Sequence, residues 1–148
     1  FLLFLGFMAL PPRLLVADTI AVGNSYKFRT MDKPDRPIET AADPMCVAIM
    51  STAPDILLAK RIAHFLVEEK LAACVQLTPA CLSIYEWNGK LEGDEEVGMM
   101  IKTSRASARA AIERLTELHP YEVPEAIVVP IVGGHLDYLN WVCQQTPS

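Results

Sequence analysis

Hydrophobic and polar positions change their period several times after residue 45, and each change predicts an element. "MCVAIMS", from Met45, is a short apolar run that reads as a buried strand. Thr52-Ala53-Pro54-Asp55 reads as a helix start: Thr52 caps orphan amides, proline is tolerated in the first turn, and Asp55 suits the positive end of the dipole. Leu58, Ile62, Phe65 and Leu66 then recur at helical spacing and make one apolar face. "LAACVQLTPACLSIYEW" predicts a second strand, with Pro79 marking a bulge or bend in it. Asn88-Gly89 is a two-residue hairpin turn, because both positions tolerate positive φ. The chain returns as "EEVGMMIKT", where Val97, Met99 and Ile101 alternate against Gly98, Met100 and Lys102.

A second helix is predicted from about Ser104, as cap, to His119, with Ala108, Ile112, Leu115 and Leu118 as its buried stripe. Pro120 stops it, since a proline ring disfavours helical geometry in the preceding residue. "AIVVPIV" predicts a fourth strand whose Pro130 suits an edge or a terminus. Gly133-Gly134 breaks the chain, and "HLDYLNWVCQQ" gives a short amphipathic last helix. The order is βαββαβ plus one helix. That predicts an α+β fold, a ferredoxin-like sandwich with an extra C-terminal helix and two helices on one face of the sheet. The opposite face keeps apolar hairpin strands carrying Tyr85 and Trp87, which predicts self-association with these rings as anchors.

Residues 1–44 follow a different pattern. "FLLFLGFMALPPRLLVADT" is interrupted by Pro11, Pro12 and Arg13 too soon to span a bilayer as a helix, and no basic segment precedes it. It reads as a leader remnant or as mistranslated upstream sequence. The polar, proline-rich "NSYKFRTMDKPDRPIETAADP" reads as a linker or disordered extension. The folded domain is therefore expected over residues 45–148, with Met45 a candidate initiator.

Composition narrows the functional classes. With 51% hydrophobic residues and 148 in all, the chain supports one domain with a real core. The net charge of −5 falls wholly after residue 44, leaving no basic stripe for a phosphate backbone. Nucleic acid is not an expected partner, nor is a membrane for the folded domain. Cys46, Cys74, Cys81 and Cys143 show neither CxxC nor zinc-finger spacing and sit in apolar runs, as buried thiols of a reducing compartment do. A cytoplasmic location follows, with residues 1–44 leaving export or organelle targeting open.

Four stretches in order, "EEKLAACVQLTP", "SIYEWNGKLEGDEEVGMMIKT", "HPYEVPE" with the following "VVP", and "YLNWV", resemble the CutA family of divalent-cation tolerance proteins. The resemblance covers residues 45–148. It implies a homotrimer of ferredoxin-like subunits, related in architecture to the PII signalling proteins, and a link to tolerance of copper and other divalent metals. It also implies a copper site built from a cysteine before the Thr-Ala-Pro turn, the cysteine of "LAAC" and the histidine of "HPY". Here the last two are Cys74 and His119, while the first position is Ser51, whose hydroxyl is a poor ligand for Cu(I).

The expected function is divalent metal binding, copper in particular, through Cys74 and His119, with copper or another divalent cation as cofactor. The alternative is a trimeric scaffold or PII-like sensor that binds a small molecule or a protein between subunits. Glu122 and Glu125 read as solvated or paired carboxylates, Tyr121 as a packing residue, and Asp94-Glu95-Glu96 as a solvated acidic face. His64 and His135 read as structural or exposed residues. An enzyme is not expected, since a nucleophile elbow, a P-loop and an HExxH motif are all lacking.

Overall fold

A computed structural model describes residues 38–40 and 45–147. The elements are β1 (Ile38–Thr40), β2 (Cys46–Ala53), α1 (Ile56–Glu68), β3 (Cys74–Trp87), β4 (Lys90–Ser104), α2 (Ala108–Leu118), β5 (Ile127–Pro130), β6 (Gly133–His135) and α3 (Leu136–Gln145). Four strands form one antiparallel sheet in the order β3-β4-β2-β5, while β1 pairs with β6 as a separate ribbon. The expected βαββαβ order is present from β2 to β5. The β1–β6 ribbon was not legible in the sequence: β1 is three residues within a polar stretch read as an extension, and β6 is two glycines and a histidine. The apolar run at the front of the chain lies outside the described residues.

Strand alternation sorts the sheet into two faces. Ile49, Ala53, Val97, Met99 and Ile101 point to one side and pack with Ala59, Ile62 and Leu66 of α1 and Ala111 and Leu115 of α2. Burying each large side chain of this cluster contributes roughly 1.5–3 kcal/mol before chain entropy is counted. An exposed clamp reinforces the helix pair: the guanidinium of Arg114 forks onto Glu69, reaches Glu117 at 3.0 Å, and lies over the Phe65 ring.

Two helix starts differ from expectation. The cap of α1 is Asp55, whose Oδ1 accepts from the N–H groups of Leu57 and Leu58 at 2.7 and 2.9 Å. Thr52 stays in β2 because its hydroxyl is used across the sheet, donating to Glu96. Likewise Ser104 closes β4, and Ser107 is the residue that begins α2. The Ser104 Oγ still serves the helix start, accepting from the Ser107 N–H at 3.2 Å.

The β3–β4 hairpin turns at Asn88 and Gly89, with φ of 50° and 75°, as a two-residue turn requires. Its register slips between Leu77 and Ala80, at the Thr78-Pro79 step where a bulge was expected. Gly98 faces that step, and a Cβ there would stand 2.6 Å from the Thr78 hydroxyl. Glycine is what lets the strands close over the bulge.

The second face of the sheet is only partly covered. Near Cys46 it lies under α3, whose Leu139 carbonyl accepts from the Cys46 thiol. Further along, Gln76, Met100, Met50 and Ile127 stand in register across all four strands. Met50, Met100 and Ile127 are each at least 40% exposed, and Tyr85 and Trp87 of the hairpin, paired with Glu92 and Lys90 on the same face, are 38% and 46% exposed. An apolar band thus runs along this face of the sheet without a helix over it.

Candidate functional site

His119 owes its position to the way α2 ends. Pro120 excludes helical geometry before it, and His119 accordingly takes an extended conformation at φ −86°, ψ 139°. The turn carries the imidazole to the far end of β2, where it is 8% exposed. Its Nδ1 accepts the Tyr121 N–H at 3.2 Å, and its Nε2 lies 2.9 Å from the Thr52 carbonyl oxygen. A carbonyl only accepts, so Nε2 carries the proton and Nδ1 the lone pair. The Tyr121 ring meets the imidazole edge-on at 4.8 Å.

The polar network continues from Thr52. Its hydroxyl donates to Glu96 Oε1 at 3.1 Å, and Glu96, 7% exposed, lies beside the Tyr121 phenol. Burial, and then the neighbouring Glu96 carboxylate, hold the Tyr121 phenol above its ordinary pKa. An open hollow of about 320 Å³ lies alongside, lined in part by Pro54, Thr78, Pro79, Glu95 and Glu96. His119, Thr52, Glu96 and Tyr121 therefore form one connected cluster next to a concavity.

Glu96 differs from its reading as part of a solvated acidic run. Glu95 is exposed and Asp94 accepts from the Tyr85 hydroxyl, while Glu96 turns inward. No local signal marks it: parity places Glu96 with Gly98 and Met100, opposite the core positions Val97 and Met99, and its burial comes from partners distant in sequence such as Thr52. Glu122 and Glu125 are exposed, as expected.

Among the described residues, the candidate metal donors are not gathered together within the chain. Cys74 is half-buried and stands across β4 Lys102 from Ala48 of β2. The carbonyl that holds His119 belongs to Thr52, four residues further along β2, about 13 Å at ~3.3 Å per residue. Ser51 is buried on the helix-covered face, the opposite side from Cys74. Among the described residues no group of three or more His, Cys, Asp or Glu is arranged to hold a metal. The donor chemistry at His119 does not fit a metal ion either. A ligating imidazole needs a free lone pair, and here one nitrogen is protonated and the other is bonded. Of the three candidate positions, Cys74 offers the soft, partly accessible donor.

The CutA1 divalent ion tolerance protein family matches residues 47–145, which include every element from β2 to α3. The chain belongs to the CutA1 family. Among its relatives, the divalent-cation tolerance protein CutA of Pectobacterium atrosepticum is 46% identical over 101 residues, covering 67% of this chain and 92% of that protein. Mouse protein CutA is 50% identical over 101 residues, which is 68% of this chain and only 57% of the mouse protein's length. The crystal structure of CutA1 from the psychrotrophic bacterium Shewanella sp. SIB1 superposes with a TM-score of 0.69 at 45% identity, covering 71% of this chain and 98% of that one. The family match covers the cluster around His119 as well as Cys74. Among the described residues, no helix is long and apolar enough to cross a membrane.

Proposed function

We propose that this CutA1 family member acts as a non-catalytic homotrimer of ferredoxin-like, PII-like subunits that contributes to divalent-cation tolerance as a binding scaffold. Its ligand, a small molecule or a protein, sits in clefts between copies. The observation that carries this reading is the apolar band formed on one face of the sheet by Met50, Met100 and Ile127 with Tyr85 and Trp87. A face of that kind is costly in water and is relieved when copies of the chain pack around a three-fold axis and cover it. The strand order β3-β4-β2-β5 with the βαββαβ sequence of elements supports the ferredoxin-like assignment. An acidic body and free cysteines accord with a cytoplasmic protein that does not bind nucleic acid.

Copper, or another divalent cation, held at Cys74 is the second reading. A thiol on the less covered face favours it, since a thiolate selects soft ions. Its remaining donors come from a neighbouring copy. His119 joins them only by giving up its bond to the Tyr121 N–H or to the Thr52 carbonyl.

Native mass spectrometry of the full chain in the presence of a chelator tests the assembly. A trimer is expected without metal, and Met50→Asp is expected to dissociate it while keeping the circular dichroism of the folded subunit. A wild-type monomer, or a trimer formed only on adding metal, overturns the proposal.

A further inference from the structure

Two cysteines far apart in sequence meet where α3 crosses the sheet. The Cys46 and Cys143 sulfurs are 3.2 Å apart, although the residues are 97 positions apart along the chain. Each thiol is also held by a carbonyl of the opposing element: Cys46 donates to Leu139 of α3 at 3.4 Å, and Cys143 donates to Met45 at 3.9 Å. The sulfurs are thus fixed against one another by the two elements that carry them. Their access differs. Cys46 is 2% exposed. Cys143 is half-buried and lines an open groove of about 620 Å³, together with Met45, Ser104, Thr146 and Pro147.

We propose that Cys46 and Cys143 form a thiol–disulfide modification site that takes a small-molecule disulfide, with Cys143 as the entry thiol and Cys46 as the resolving thiol. The Cys143 thiolate attacks one sulfur of the small disulfide, forming a mixed disulfide and expelling one small thiolate, which takes up the proton. The Cys46 thiol gives its proton to solvent, its thiolate attacks Cys143 Sγ, and the second small thiolate is expelled and takes up a proton in turn. Two protein thiols are oxidised to one disulfide and one small disulfide is reduced to two thiols, so electrons and protons balance. Burial, and then the bond to Cys143, push the Cys46 thiol up to about 12, which keeps it protonated until the first step has occurred. Once Cys143 is capped, its share of that shift is gone. The product ties the start of β2 to α3 and closes a long loop, which stabilises the folded chain chiefly by restricting the unfolded one.

The test uses the full chain, fully reduced and then exposed to oxidised glutathione. Remaining thiols are alkylated after denaturation and the peptides mapped without reduction. Two of the four cysteines are expected to be lost as a Cys46–Cys143 cross-linked peptide, with a rise in Tm that a reductant reverses. Cys46→Ala is expected to accumulate glutathione on Cys143, because the resolving thiol is gone. Cys81→Ser, which removes the exposed thiol, is expected to leave the cross-link unchanged. If glutathione collects on Cys81 alone while Cys46 and Cys143 stay reduced, the proposal is wrong. It is equally wrong if a Cys46–Cys143 cross-link forms only when the chain is unfolded first.

Discussion

The protonated Nε2 of His119 lies 2.9 Å from the carbonyl oxygen of Thr52 and ties the end of α2 to the end of β2, 67 positions apart in the chain. That bond and the Tyr121 N–H on Nδ1 account for both ring nitrogens. The histidine of "HPYEVPE" is therefore a fastener between elements. The carboxylate that shares its surroundings, Glu96, is reached through the Thr52 hydroxyl.

His119→Ala removes one buried donor and one buried acceptor together, leaving the Tyr121 N–H without its partner. A loss of about 1–3 kcal/mol of stability is expected, the usual cost of unsatisfied buried polar groups. Urea unfolding at fixed protein concentration measures it. A midpoint equal to wild type would show that the imidazole is not fastened as described.

Asp55→Ala is expected to cost about 1 kcal/mol, because the first-turn amides of Leu57 and Leu58 lose the acceptor they share. Thr52→Val is expected to leave the start of α1 unaffected, since its hydroxyl serves Glu96. Comparing the helical signal and unfolding midpoints of the two variants separates these roles. A larger helix loss in Thr52→Val would return the cap to Thr52.

Tyr85 supplies an alkaline signature. Its phenol is pushed up to about 12 from 10.0, chiefly by donating to Asp94. The folded state thus keeps this proton at a pH where the unfolded chain has released it. The contribution is complete below pH 10.0 and is lost as pH rises towards about 12. Stability should fall more shallowly with pH over that window in Tyr85→Phe than in wild type, while Tyr121 and Tyr138, also raised, keep part of the slope in both. Identical slopes in urea unfolding would contradict the Tyr85–Asp94 bond.

The sheet and its helices were legible because their signals are local and periodic. Val97, Met99 and Ile101 alternate, Asn88-Gly89 requires one turn type, and Pro120 ends α2 wherever the rest of the chain lies. The helix caps were less legible because Thr52 and Asp55 compete for the same role, and only the partner across the sheet, Glu96, decides between them. Cys74 and His119 could be picked out by resemblance. That Thr52 and Tyr121 occupy both nitrogens of His119 depends on contacts between segments distant in sequence, which no local pattern carries. The same holds for Cys46 and Cys143, each of which reads alone as a small core thiol.

The central claim is that His119 fastens the fold and leaves metal to other donors. Native mass spectrometry of the reduced protein, in the assembly state it adopts, with added copper, for wild type, Cys74→Ser and His119→Gln, tests it most directly. The account predicts that His119→Gln keeps the wild-type assembly and takes up as much copper as wild type, with any uptake at Cys74 lost only in Cys74→Ser. A His119→Gln protein that keeps that assembly but loses its copper would contradict it.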